Sequence, residues 1–361
     1  MRLKSLQVQN WRNIESALFE PGPGLNVICG DNGQGKTNLL EAVWLLTGAK
    51  SFRPAKDAQL IQKEKPFSLL DAVTESEIGE DHVLLTVGGP QSQRPGRTAK
   101  VNGGDAGRAS NLAGRFRAVV FQPDDLSLVK GSPEGRRRFI DAALCQLYPG
   151  YLSTLRRYTR LVTQKNSLLK NWARTPGADV MCDAFDADLA RQGEEISRRR
   201  REYLEMLSPL AAANYGDISH QKESLSVKYC GLFAPGTLAE AIRAARRDDR
   251  YAGCCTLGPH REDLEIHLDD QSARHFASQG QQRSAVLSVK LAEASCAGSI
   301  TGEEPVMLLD DVLSELDESR QEYLLTRMSS RQTIVTACDP DLFKKTSGRV
   351  FSMAGGVLTA L

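Results

Sequence analysis

Leu3–Gln9 alternates apolar and polar residues, as a strand with one buried face does. Pro21-Gly22-Pro23-Gly24 then turns the chain, and Leu25–Cys29 predicts a buried strand. Asn38–Thr47 sets Leu39, Leu40, Val43, Trp44 and Leu46 at helical spacing and predicts a helix. His82–Val87 and Val119–Phe121 predict further strands. Gly88–Gly107 between them is rich in Gly, Pro, Ser and Gln, and predicts an exposed loop or hairpin. From residue 133 the period lengthens, and helical patterns run over 136–147, 151–173 and 184–213. After 251 short apolar strands return, at Val306–Leu309 and Thr333–Thr336. No internal repeat and no sustained heptads appear. The pattern predicts an α/β fold whose middle, 133–250, is a mainly helical insertion between 1–132 and 251–361.

Composition narrows the class. At 361 residues, two or three domains are expected. No apolar run is long enough for a membrane span, and the first residues lack a signal-peptide core, so a chain with no membrane association is expected. Eight scattered cysteines without a Cys-x-x-Cys pair predict reduced thiols in a cytoplasmic protein. The net charge of +1 hides its distribution: residues 136–215 hold 14 Lys+Arg against 9 Asp+Glu.

Two motifs carry chemistry. Gly30-Asp31-Asn32-Gly33-Gln34-Gly35-Lys36-Thr37 fits G-x-x-x-x-G-K-[ST], with a predicted strand before it and a helix after it. Its glycines let successive N–H groups face an anion at a helix N-terminus. Lys36 would reach the outer phosphates of a nucleotide, and the Thr37 hydroxyl would ligate Mg2+. Val306–Asp311 is an apolar strand ending in two carboxylates. Asp310 would hold the Mg2+ shell, and Asp311 would orient or deprotonate an attacking water. About 270 residues separate the motifs, far more than in compact GTPases or small kinases. Both chain ends must therefore build one sheet.

The ordered motifs give the chain a family resemblance. They are Asn10-Trp11-Arg12-Asn13, Ser51-Phe52-Arg53, Phe121–Leu126, Gly135–Asp141, Gly258–Leu264, Ser278–Arg283 and Leu309–Asp317. Over essentially its whole length the chain resembles the RecF recombination mediators, ABC-type ATPases with an SMC-like head. The resemblance implies an ATP- and Mg2+-dependent ATPase head assembled from both chain ends, without a long coiled coil. It implies a Q-loop role for Gln122, touching Mg2+ and the water. It implies that Ser278, Gly280 and Gln281 form a signature that binds the γ-phosphate held by a second copy, making an ATP-dependent homodimer, with Asp317 at that interface. It further implies double-stranded and gapped DNA as ligand, mediators of the RecR and RecO type as partners, recombinase loading, and roles in replication, repair and the SOS response near the nucleoid.

Three positions depart from the family pattern: Phe52 in place of a histidine, Asp311 in place of the commoner glutamate, and Thr336 where many ABC ATPases carry a switch histidine. A threonine hydroxyl could donate one hydrogen bond to phosphate but cannot become cationic. Slow hydrolysis is expected, suited to a timed clamp.

Arginine outnumbers lysine 31 to 15 and clusters at Arg136-Arg137-Arg138 and Arg198–Arg201. These could contact a DNA backbone without reading sequence, with steep salt dependence. Equally, Arg198–Arg201 could be a solvated face paired with Glu194, Glu195, Glu202 and Glu205. Two other classes fit parts of the pattern: a transporter ATPase subunit, and a DNA-binding scaffold with an inactive nucleotide site.

Overall fold

The computed structural model describes residues 1–92, 94–328, 330–338 and 348–361. The chain begins with β1 (Arg2–Trp11), β2 (Ile14–Phe19), β3 (Leu25–Cys29) and α1 (Lys36–Leu45). It continues through β4 (Phe67–Ser76), β5 (Gly79–Gly88), β6 (Gly96–Val101), β7 (Gly104–Arg108) and β8 (Ala118–Phe121). The middle holds α2 (Ser127–Lys130), α3 (Pro133–Leu147), α4 (Tyr151–Lys170), α5 (Ala178–Ser219), β9 (Leu225–Cys230), α6 (Leu238–Ala244), α7 (Arg246–Ala252), β10 (Asp263–Leu268), β11 (Gln271–Ser272) and α8 (Ala273–Phe276). Then follow α9 (Gln279–Thr301), β12 (Val306–Asp310), α10 (Glu318–Met328), β13 (Thr333–Ala337), β14 (Arg349–Ala354) and β15 (Val357–Ala360).

Two compact units result. The first comprises Met1–Asp125 and Glu293–Leu361, the second Leu126–Ala292. These cuts differ from those expected at 132/133 and 250/251. Residues 251–292 cluster with the helical unit because β10 pairs antiparallel with β9 from Asp263↔Cys230 to Leu268↔Leu225.

The first unit contains a sheet ordered β15-β14-β3-β13-β12-β8, in which β14, β3, β13, β12 and β8 run parallel. β12 and β13 are buried throughout, as strands of a parallel sheet covered on both faces are. β12 and β13 come from the C-terminal part and lie between β3 and β8 from the N-terminal part, so both chain ends share one sheet. A second sheet, β2-β1-β4-β5-β6-β7, is antiparallel and alternates buried and accessible residues. The segment expected as a loop or hairpin is the β6–β7 hairpin. One apolar core joins Leu6, Phe19, Leu70 and Leu85 of this sheet to Leu39 and Val43 of α1 and to Ile28, Leu308 and Ile334 of the parallel sheet.

The second unit packs α4 along the 42-residue α5 and sets α5 against β9. At 1.5 Å per residue, α5 is about 60 Å long. A buried triad ties three of its helices: Lys165 Nζ lies 2.7 Å from Asp186 and 2.8 Å from Asp249.

Candidate functional site

Each candidate nucleotide-binding group of the first unit stands at the C-terminal end of a parallel strand, where open α/β sheets place their ligands. The phosphate loop follows β3, Asp310 closes β12, Thr336 lies in β13 and Gln122 follows β8. Gly33 and Gly35 adopt φ of +80° and +116°, conformations that side chains resist. α1 begins without a side-chain cap, so its first N–H groups are left to an anion. The loop is braced from outside. Asn13 Nδ2 donates to Gln34 O (3.0 Å), and the amides of Gly355 and Gly356 donate to Gln34 Oε1 (2.6 Å) and Gln34 O (2.9 Å). Lys36 is buried, its ammonium lying over the loop and donating to Gly30 O and to Asp31 O (3.0 Å). Asn32 Oδ1 accepts from Cys338 Sγ at 3.2 Å.

Thr37 Oγ1 donates to Asp310 Oδ1 at 2.6 Å, joining motifs 273 positions apart. A hydroxyl and a carboxylate in contact are hard oxygen donors of the kind Mg2+ selects, so these residues fit the metal that the motif implies. Burial pushes the Asp310 carboxyl up. The Thr37 and Thr336 hydroxyls and the Arg53 charge oppose this, and the Asp311 charge adds to it. Bound Mg2+ would reverse the balance by favouring the charged form. Asp311 is half-buried and turns out of the sheet with φ +53°. Gln122 is half-buried, and its backbone N–H donates to Asp125 Oδ2 at 2.9 Å.

Behind the loop, Glu41 is fully buried on α1 and gathers Arg12, Ser51 and Arg53. Burial raises its pKa, but the hydrogen bonds from these three outweigh that and hold it below the usual carboxylate range. Arg53 also donates to Asn38 Oδ1 (2.6 Å), while its buried Nε has no hydrogen-bond partner among the described residues. Phe52 packs edge-on against Trp44, an apolar role. The roles of Glu41 and Arg53 were not deduced from the sequence. The available signal was one acid, Glu41, inside the apolar run Leu39–Leu45. Thr336 is corrected: it is buried, and its hydroxyl already donates to Asp310 Oδ1 (3.0 Å), so it does not offer a proton to phosphate.

The second unit holds Ser278, Gly280 and Gln281 at the start of α9. Ser278 Oγ accepts from Gln281 N (3.3 Å), and Gln281 Oε1 accepts from Ser278 N (2.7 Å), a reciprocal helix cap. The cap uses Ser278 as an acceptor and leaves its hydroxyl proton to donate. Gln281 Nε2 is held by Glu223 (2.6 Å), itself held by Tyr215 (2.7 Å). Asp317, in the first unit, caps α10 through Arg320 N at 3.0 Å.

The arginines of the two clusters separate. Arg136 is 4% exposed and grips Asp263 through two hydrogen bonds of 2.8 and 2.6 Å, with a third to Gly131 O. It is an internal tie, which corrects its expected phosphate contact. Arg137 donates to Glu262 O (2.7 Å), and Arg138 is exposed beside Glu134. Arg198 and Arg199 pair with Glu195 and Glu202, while Arg200 is buried on Asp141. Glu262 and Asp263 belong to the Gly258–Leu264 motif, and Arg136 and Arg137 to Gly135–Asp141, so these two motifs lock to each other.

Comparison with known proteins agrees with this architecture. Residues 2–356 match the RecF/RecN/SMC N terminal domain family. The chain is 36% identical to the DNA replication and repair protein RecF of an Exiguobacterium species, covering 94% of this chain and 93% of that one. It is 38% identical to RecF of Heliobacterium modesticaldum, covering 92% and 90%. A structure of the recombination mediator protein RecF–ATP in the RecFOR pathway superposes with a TM-score of 0.91 at 31% identity, covering 99% of this chain and 97% of that one. An Smc head domain from Pyrococcus furiosus shares the fold, with a TM-score of 0.58 at 16% identity and coverage of 99% and 95%. Two chain ends meeting at one phosphate loop, and the match of motifs from Asn10 to Asp317, have the same explanation: this chain belongs to the RecF family of SMC-like, ABC-type ATPases.

Proposed function

We propose that this chain is an ATP-driven DNA clamp acting in replication, repair and recombination. The contact between Thr37 and Asp310 across 273 positions carries the reading, because it makes one nucleotide site from both chain ends. The unit of Met1–Asp125 and Glu293–Leu361 is the ATPase head. The amides of Gly30–Gly35 and the Lys36 ammonium hold the outer phosphates. Thr37 and Asp310, with Gln122 from the neighbouring strand, would hold Mg2+, which would supply neutralising charge to the phosphates. Asp311 orients the attacking water, and its short carboxylate keeps turnover slow. Ser278, Gly280 and Gln281 complete the γ-phosphate site of a second copy, so ATP holds a homodimer together. The dimer retains duplex DNA near gaps and hands it, with mediators of the RecR and RecO type, to recombinase loading in the cytoplasm around the nucleoid. Arg138, exposed where Arg136 is not, is the cluster member available to phosphate.

Lys36→Met and Asp311→Asn test this. Lys36→Met loses ATP binding and ATP-dependent DNA retention. Asp311→Asn binds ATP and retains DNA but hydrolyses at least about 100-fold more slowly. ATP binding and DNA retention unchanged in both variants would establish the inactive-site scaffold instead.

A further inference from the structure

We infer that Thr336 is a positioning residue for hydrolysis, a strut that sets the two Walker-type carboxylates at their working angles. Asp310 and Thr336 are the last register pair of β12 and β13, and the chain leaves the sheet immediately afterwards at Asp311. Asp311 makes that exit with φ +53°, a left-handed conformation uncommon for a residue with a side chain. Such a conformation persists only where the surroundings hold it. The holding group is a side chain: Asp311 N donates to Thr336 Oγ1 at 3.0 Å. The same hydroxyl donates to Asp310 Oδ1 at 3.0 Å, with Leu309 O further away at 3.4 Å. One oxygen thus accepts from the backbone of one carboxylate residue and donates to the side chain of the other.

Its environment makes the strut rigid. Thr336 is 1% exposed, its own strand β13 and the neighbouring β12 are buried throughout, and its bond to Asp310 is buried, so water cannot readily replace that bond. The β-branched side chain has few rotamers, which keeps the oxygen in place. Thr37 donates to the same oxygen, Asp310 Oδ1, at 2.6 Å. If a metal drew the Thr37 oxygen away, Thr336 would still hold Asp310. The strut also fixes where the Asp311 carboxylate leaves the sheet, and hence its aim at the water. The Thr336 hydroxyl therefore serves to fix geometry.

The inference rests on the proposed roles of Asp310 and Asp311, and the experiment separates the two. Thr336→Val keeps the shape and strand preference but removes the hydroxyl; Thr336→Ser keeps the hydroxyl. Three quantities are measured on the full chain: steady-state hydrolysis, equilibrium affinity for a fluorescent ATP analogue with Mg2+, and the lifetime of the ATP-assembled dimer. In Thr336→Val we expect kcat to fall by about tenfold or more while nucleotide affinity changes by less than about threefold, the signature of a lost transition-state interaction. The dimer should live longer in proportion, and Thr336→Ser should restore the rate. Melting curves confirm folding, and Thr336→Ala replaces the valine variant if that one unfolds. Wild-type turnover without the hydroxyl, a parallel loss of rate and affinity, or failure of serine to restore the rate would each overturn the strut. If Asp311→Asn is inactive while Thr336→Val is fully active, only this inference fails. If Asp311→Asn turns over normally, the role of Asp311 fails first.

Discussion

Arg136 and Arg138 sit two residues apart in one basic run, and the structure predicts opposite consequences for removing them. Arg136→Ala deletes a guanidinium whose side chain is 5% exposed and leaves Asp263, 19% exposed, without its bidentate partner. It also removes the donor to Gly131 O at 2.8 Å. Breaking a buried pair from one side costs about 3–5 kcal/mol, because the remaining charge is left uncompensated. For a unit of the size of Leu126–Ala292, that corresponds to a fall in melting temperature of about 10 °C. Arg138→Ala removes an exposed pair with Glu134 and should shift stability by less than about 0.5 kcal/mol. Calorimetry gives both stability changes, and DNA titration at several salt concentrations gives the effect of Arg138→Ala on binding. Losing one phosphate contact at Arg138 should reduce the salt slope by about one. Replacing Arg136 and Asp263 together by Met and Leu should recover most of the stability. An Arg136→Ala protein that melts like wild type but binds DNA weakly would refute the internal-tie assignment.

Three further outcomes follow from the same reasoning. Glu41→Gln removes the buried negative charge, and one of the two acceptor oxygens, shared by Arg12, Ser51 and Arg53. Because the Glu41 pKa is held below its ordinary 4.5, the wild-type advantage in stability is full above that value and shrinks as pH falls through the folded value, measurable by urea melts from pH 7 to 3; an advantage that grows on acidification would contradict this. Gly30→Ala places a Cβ 2.2 Å from Met353 O at φ +152°, so β14 or the loop must shift, and ATP affinity should fall about tenfold or more by calorimetric titration; wild-type affinity would show that the loop's path is not required. Lys165→Met leaves Asp249 without its ion-pair partner and Asp186 with Arg246 alone, and should destabilise by about 3 kcal/mol, whereas Arg198→Ala on the exposed face should change stability by less than about 0.5 kcal/mol; equal effects in chemical denaturation would argue against the buried triad.

The contrast between what was legible in the sequence and what was not has a physical basis. The phosphate loop was legible because its chemistry lies in contiguous residues, with glycines where positive φ is needed and a strand and a helix on either side. The joint sheet was legible from the long gap between Thr37 and Asp310, since one Mg2+ site needs both. The partners of Arg136, Lys165 and Arg200 were not legible. Asp263, Asp249 and Asp141 lie 127, 84 and 59 positions from them, and charge in a sequence carries no sign of burial. Ser51-Phe52-Arg53 was visible as a motif, yet the use of Arg53 depends on Glu41 and Asn38, which only packing brings to it. The unit boundary at Ala292 was missed for the same reason, because the β9–β10 pairing that draws residues 251–292 into the helical unit is long-range.

The central claim is that one nucleotide site, built from both chain ends, controls assembly on DNA. Size-exclusion chromatography with light scattering, run with and without ATP and Mg2+ at several salt concentrations and with gapped DNA, tests it most directly. The account predicts a monomer without ATP, a DNA-retaining dimer with ATP, no dimer for Lys36→Met, and a persistent dimer for Asp311→Asn, with retention weakening steeply as salt rises. The same mass with and without ATP, and DNA affinity indifferent to both nucleotide and salt, would contradict it.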